Sequence, residues 1–110
     1  MFVPSVRAAV EWYSSVLQLP VTFIDENFAM IGVGPAQLCF HTADAKVPCG
    51  RAGQVAYWRV QSLEEAAIRF QQFGADVYRG PLAIGPGLGI CQVADPFGNL
   101  FGLVGQYYAP

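Results

Sequence analysis

Charge is what this sequence has least of. Charged residues make up 13% of the 110-residue chain, about half of the roughly 25% usual in soluble domains. Six basic residues stand against eight acidic ones, for a net charge of −2, and Lys46 is the only lysine. The five arginines are scattered, so there is no basic stripe, and no nucleic-acid partner is expected. No uninterrupted apolar run approaches the roughly 18 residues of a membrane span. The least charged stretch, Gly80 to Ala94, is broken by Pro81, Pro86 and glycines, so no membrane partner is expected either. The first residues lack the basic-then-apolar layout of a signal peptide. Cys39, Cys49 and Cys91 form no CxxC pair and no zinc spacing; an odd cysteine count of this kind reads as reduced thiols and a cytoplasmic location. What is abundant is hydrophobic residues, at 54%, which excludes a disordered chain. The length allows one domain. So little charge on so small a body predicts that part of the surface is covered, most simply by a second copy in a homodimer.

Periodicity supplies the elements. Ser5 is a helix N-cap candidate, and Val6, Val10, Tyr13 and Leu17 mark one apolar face of a helix that Leu19-Pro20 ends. Strands are predicted at Val21–Ile24, Phe28–Val33 and the alternating Gln37–His41, with turns at Asp25-Glu26-Asn27 and Gly34-Pro35. Asp44 to Gly53 reads as loop and Gln54 to Val60 as strand. Ser62-Leu63-Glu64-Glu65 fits a capping box. It opens a helix whose apolar face is Leu63, Ala66, Ala67, Phe70 and Phe73, with Gly74 as its stop. Ala75–Tyr78 reads as a short strand and Gly80–Gly87 as a Gly/Pro-rich loop. Strands at Ile90–Ala94 and Leu100–Val104 flank the Asp95-Pro96-Phe97-Gly98-Asn99 turn.

The chain also repeats itself. Val3-Pro4-Ser5 stands 57 residues ahead of Val60-Gln61-Ser62. Val6, Ala9, Val10 and Tyr13 behind the first match Leu63, Ala66, Ala67 and Phe70 behind the second. Each half then runs strand, strand, strand. Two βαβββ units follow, module 1 over about residues 1–45 and module 2 over about 53–106 of a single domain, each too small to bury its own sheet face.

Three stretches resemble the vicinal oxygen chelate superfamily, which holds glyoxalase I, bleomycin-resistance proteins and extradiol dioxygenases. They are Ala9-Val10-Glu11-Trp12-Tyr13 through Leu17-Gln18-Leu19; Gly53 to Val60 with Ser62-Leu63-Glu64-Glu65-Ala66; and Ala94-Asp95-Pro96-Phe97-Gly98-Asn99-Leu100. The resemblance implies an α+β fold. Two βαβββ modules form curved mixed sheets around a cup, with the helices outside, and dimers are common. Only Met1-Phe2-Val3 corresponds to the first strand. Relatives that do chemistry hold one divalent cation through His and Glu on four equivalent strands. The resemblance places Gln37 at the fourth-strand ligand, Val55 at the fifth and Gly102 at the last, with the first lying before Met1. Such a set makes a poor Lewis-acid site, so neither a metal nor another cofactor is expected.

Strand parity then names a lining. With Gln37 facing the cup, Cys39 and His41 face it too. On the fifth strand Val55, Tyr57 and Arg59 share that face, while Ala56 and Trp58 pack under helices. Gln92 is the polar member of the seventh strand, and Gly102 faces in from the last. Gln37, Cys39, His41, Tyr57, Arg59, Gln92 and Gly102 are the candidate ligand-binding residues, a mixed lining of the kind small-molecule pockets have. Each has a structural reading beside it. Arg59 suits a solvated strand end as well as a planar anion donor. His41 suits a hydrogen-bonded strand end, and Cys39 a small core residue. No base–nucleophile constellation emerges, so no catalytic residue is named. The expected function is metal-free binding of a small organic ligand, sequestering a drug or metabolite. The alternative is a metal-dependent lyase or dioxygenase of the same superfamily with non-standard ligands.

Overall fold

The computed structural model describes residues 1–34, 36–51 and 54–110. Pro35 of the Gly34-Pro35 turn, and Ala52 and Gly53 of the predicted loop, lie outside the described residues. The elements run β1 (Phe2–Val3), α1 (Val6–Leu17), β2 (Val21–Ile24), β3 (Phe28–Val33), β4 (Ala36–Thr42), β5 (Tyr57–Ser62), α2 (Leu63–Gln72), β6 (Asp76–Gly85), β7 (Leu88–Ala94) and β8 (Leu100–Gln106). They divide into two compact units, Met1–Cys49 and Gly50–Pro110. Each unit is a βαβββ module.

In the first unit the sheet order is β1-β4-β3-β2, and in the second β5-β8-β7-β6. The first strand of each unit pairs in parallel with the last, and the other pairs are antiparallel. Both sheets are therefore mixed. A parallel pair needs a crossover, and the helix supplies it. The two serines set 57 residues apart do the same work. The Ser5 and Ser62 side chains accept from the backbone N–H of Ala8 and Glu65. Both residues have extended backbone, as an N-cap requires.

One face of each sheet is closed by its helix. Alternation sends Ala29, Ile31 and Phe40 under α1, where they meet Val6, Ala9, Val10, Tyr13 and Val16, all buried. The Tyr13 and Phe40 rings pack at 5.3 Å. In the second unit Cys91, Val93, Phe101 and Leu103 lie under Leu63, Ala67 and Phe70 of α2. The Phe70 and Phe101 rings stack there at 5.7 Å. Fully burying one such side chain stabilises by about 1.5–3 kcal/mol, so these rows hold each helix to its sheet. Burial also holds the Cys91 thiol above its ordinary pKa.

Two expectations need correction. The predicted strand at Gln54–Val60 is observed at Tyr57–Ser62. Among the described residues its only neighbour is β8, and that ladder runs from Tyr57–Gly102 to Ser62–Gln106; the partner, not the local preference for strand, sets the ends. The predicted loop at Gly80–Gly87 is mostly strand, because β6 continues from Asp76 to Gly85. Its register with β7 shifts at three places. Bulges on an edge strand accommodate glycine and a proline that has no N–H to donate.

Candidate functional site

The faces turned away from the helices carry the candidate residues. In the first unit, register lines up Phe2, His41 and Phe28 across β1, β4 and β3. His41 stacks on Phe2 at 5.0 Å and meets Phe28 edge-on at 4.7 Å. Phe23 of β2 extends the row, 6.0 Å from Phe28. One step along, Cys39 pairs with Met30, which pairs with Phe23. Cys39 and His41 share this face, as strand parity predicts, and Phe2, Phe23, Phe28 and Met30, which parity on β4 alone does not reveal, join them. The signal was there in Phe28-Ala29-Met30-Ile31-Gly32, where large residues alternate with the small and aliphatic ones that go under the helix.

Gln37 is placed differently. Its Oε1 accepts from the Thr22 hydroxyl at 3.0 Å, and its amide donates to the Gly34 carbonyl. That side chain is tied to the β2 bulge and the β3–β4 turn, apart from the His41 row.

In the second unit Tyr57, Gly102 and Gln92 stand in one row across β5, β8 and β7. The Tyr57 ring lies over Gly102, and Gln92 Nε2 donates to Tyr57 Oη at 2.8 Å. A Cβ at Gly102 would meet Tyr57 Cδ1 at 2.5 Å, so glycine is what lets the ring lie down. Val104 and Ile90 form the next row, beginning at Arg59. Val55, expected on the same strand, precedes β5. An open cleft of about 580 Å³ is bounded by Arg59, Val60, Gln61, Gly87, Leu88 and Gln106.

The Asp95–Asn99 turn is built by Asp95. Its carboxylate accepts from the backbone N–H of Phe97 and Asn99, each at 2.9 Å, while Gly98 takes φ +90°. Asn99 Oδ1 in turn accepts from Gly50 N–H at 2.8 Å. The turn thus aims β8 and ties down the start of its own unit.

Residues 1–103 match the sequence profile of the Glyoxalase/Bleomycin resistance protein/Dioxygenase superfamily. The chain belongs to that superfamily. No curated protein matches the sequence. Among solved structures the chain is similar to a superfamily enzyme from Burkholderia phytofirmans PsJN, at 13% identity and TM-score 0.79, over 97% of this chain and 94% of that one. It is also similar to the bleomycin-binding protein of Streptomyces verticillus, solved with copper(II)-bleomycin, at 18% identity and TM-score 0.69, over 96% of this chain and 91% of that one. A lactoylglutathione lyase from Agrobacterium tumefaciens is 19% identical at TM-score 0.69, over 96% of this chain and 88% of that one. At these identities the likeness bears on fold alone.

The superfamily's metal can be tested against these residues. Phe2 and Arg59 each stand three residues before their capping serine, and they pair with His41 and Val104. His41 is therefore the counterpart of Val104, and Cys39 the counterpart of Gly102. Register moves the fourth-strand position from Gln37, where the resemblance put it, to Cys39. Val55 and Gly102 offer no donor atom, and the space beside Gly102 holds the Tyr57 ring. Among the described residues no three His, Cys, Asp or Glu side chains converge. A divalent cation of the superfamily kind does not fit this donor set. No helix among the described residues is long and apolar enough to cross a membrane.

Proposed function

We propose that this superfamily member binds a small organic molecule on the helix-free faces of its sheets, without a resident metal. The observation that carries the reading is the make-up of each unit's helix-free face. One presents a contiguous row of rings, Phe2–His41–Phe28, with Cys39 and Met30 beside it. The other presents polar groups of fixed orientation, with Tyr57 locked to Gln92 across Gly102 and Arg59 two residues along. Apolar surface with a few oriented polar groups is the usual makeup of a ligand site. Gln37 supports the frame rather than the ligand.

The reading includes a second copy and a reducing compartment. Edge strands β2 and β6 expose Val21, Phe23, Ile24, Tyr78, Leu82 and Ile84, which is apolar edge surface that proteins normally cover. Cys39, Cys49 and Cys91 are free thiols, which suits the cytoplasm. Light scattering should give about twice the chain mass of 11.9 kDa; the monomer mass would contradict the dimer.

The test of binding is a thermal-shift screen of small aromatic and heteroaromatic molecules on protein stripped with chelator. A ligand at about 100 times its Kd stabilises by roughly 2.7 kcal/mol, which should raise the midpoint by several degrees. A midpoint that rises only when a divalent metal is added would refute the metal-free reading.

A further inference from the structure

Arg59 is an exposed cation on β5, and among the described residues no carboxylate pairs with it. It stands in the wall of the 580 Å³ cleft beside Gln61, Gly87, Leu88 and Gln106. Among the described residues no acidic side chain contributes to that wall. Glu64 lies in a separate cleft of about 220 Å³ that shares Gln106. Gln106 is oriented, because its Nε2 donates to Tyr108 Oη at 3.1 Å. A guanidinium with two carboxamides and no counter-charge is a donor-rich environment suited to an anion, which the planar fork can hold through two hydrogen bonds.

The cleft is continuous with the rows already described. Tyr57 and Arg59 are two apart on β5 and share a face, about 6.5–7 Å from one another along the strand. Val104 and Ile90 continue the Arg59 row across β8 and β7. We infer that the ligand of this protein carries an anionic head, a carboxylate or a phosphate, which Arg59 receives at the Gly87–Gln106 end of the second sheet, while its apolar body lies over Val104 and Ile90 towards Tyr57. The inference rests on the small-molecule reading and narrows it to one ligand class.

The probes are 2-naphthoate, 2-naphthyl phosphate and the uncharged 2-naphthamide, titrated calorimetrically at low salt. A charge-assisted hydrogen bond contributes about 1.5–3 kcal/mol, or roughly ten- to a hundredfold in affinity. At least one anion should bind more tightly than the amide by that factor, and the tighter of the two anions names the head group. Arg59→Gln should bring the anions down to the amide's affinity, and Arg59→Lys should fall between. An unchanged thermal midpoint in both variants shows that they remain folded. Equal binding of anions and amide, or a gap that survives Arg59→Gln, overturns the anion inference and leaves small-molecule binding standing. Failure of all three probes, together with a blank thermal-shift screen, overturns both.

Discussion

Replacing Gly102 with alanine probes the contact that most distinguishes the second unit's open face. The added Cβ would stand 2.5 Å from Tyr57 Cδ1 and 2.7 Å from Cγ. Those atoms sit at the base of the ring, so the ring must swing away as a body. The 2.8 Å bond between Gln92 Nε2 and Tyr57 Oη is then lost. Tyr57 is 42% exposed, which puts that bond near the low end of the usual net ~0.5–1.5 kcal/mol. Displacing the ring from a packed position adds about 1 kcal/mol, the low end of overpacking costs. Against this, alanine in a strand gains about 0.5–1 kcal/mol over glycine, and Gly102 is not among the positive-φ glycines, so the methyl meets no backbone strain. The sum is a destabilisation of about 0.5–1 kcal/mol in the native background. With Tyr57→Ala already in place the sign reverses, and Gly102→Ala should stabilise by about 0.5–1 kcal/mol. The coupling is thus about 1.5 kcal/mol, well outside additivity. Urea unfolding of the four proteins measures it. Equal effects of Gly102→Ala in both backgrounds would mean that the Tyr57 ring does not oppose the added methyl.

Phe70→Ala should cost about 3–5 kcal/mol, because the ring is 1% exposed and stacks on Phe101. Ile68→Ala on the same helix, at 54% exposure, should stay within about 0.5 kcal/mol of native; denaturant midpoints that put the two alike would contradict the helix's orientation. Ser5→Ala and Ser62→Ala should each cost about 1 kcal/mol and add to within about 0.5 kcal/mol in the double variant, since the two caps belong to separate units. Burial raises the Cys91 pKa, so the native state keeps a proton that the unfolded chain releases. That contribution to stability is fully present below the ordinary thiol pKa of about 8.5. It is lost as pH rises towards the folded value. Unfolding midpoints measured from about pH 8 to 10 should fall with pH, and Cys91→Ala should flatten the fall; an equally steep fall without the thiol would refute it.

The helices, the repeat and five of the strands were legible because their signals are local. Ser5 and Ser62 announce two helix starts, and the apolar spacing behind them is what packs under each sheet. The β6 edge was not legible, since Gly80, Pro81 and Gly85 prefer turns and only pairing with β7 makes them strand. The start of β5 failed for the same reason, with β8 deciding where the ladder begins. Parity placed Cys39, His41, Tyr57 and Arg59 on shared faces because alternation is a property of one strand. What crosses strands stayed hidden. That Tyr57 lies over Gly102 to reach Gln92, that Gln37 is taken by Thr22, and that Cys39 is the counterpart of Gly102 all depend on register.

Amide and side-chain NMR reads directly whether a small molecule binds a helix-free face without a metal. Metal-stripped, isotope-labelled protein is titrated with the best ligand of the thermal-shift screen. Saturable shifts are expected on a helix-free face, at Tyr57, Arg59 and Gln92 of the second unit or at Phe28 and His41 of the first, with the exposed positions of the helices, Glu11 and Ile68, unmoved. Shifts confined to the helices, or shifts at the sheet faces that appear only after a divalent cation is added, would contradict that expectation.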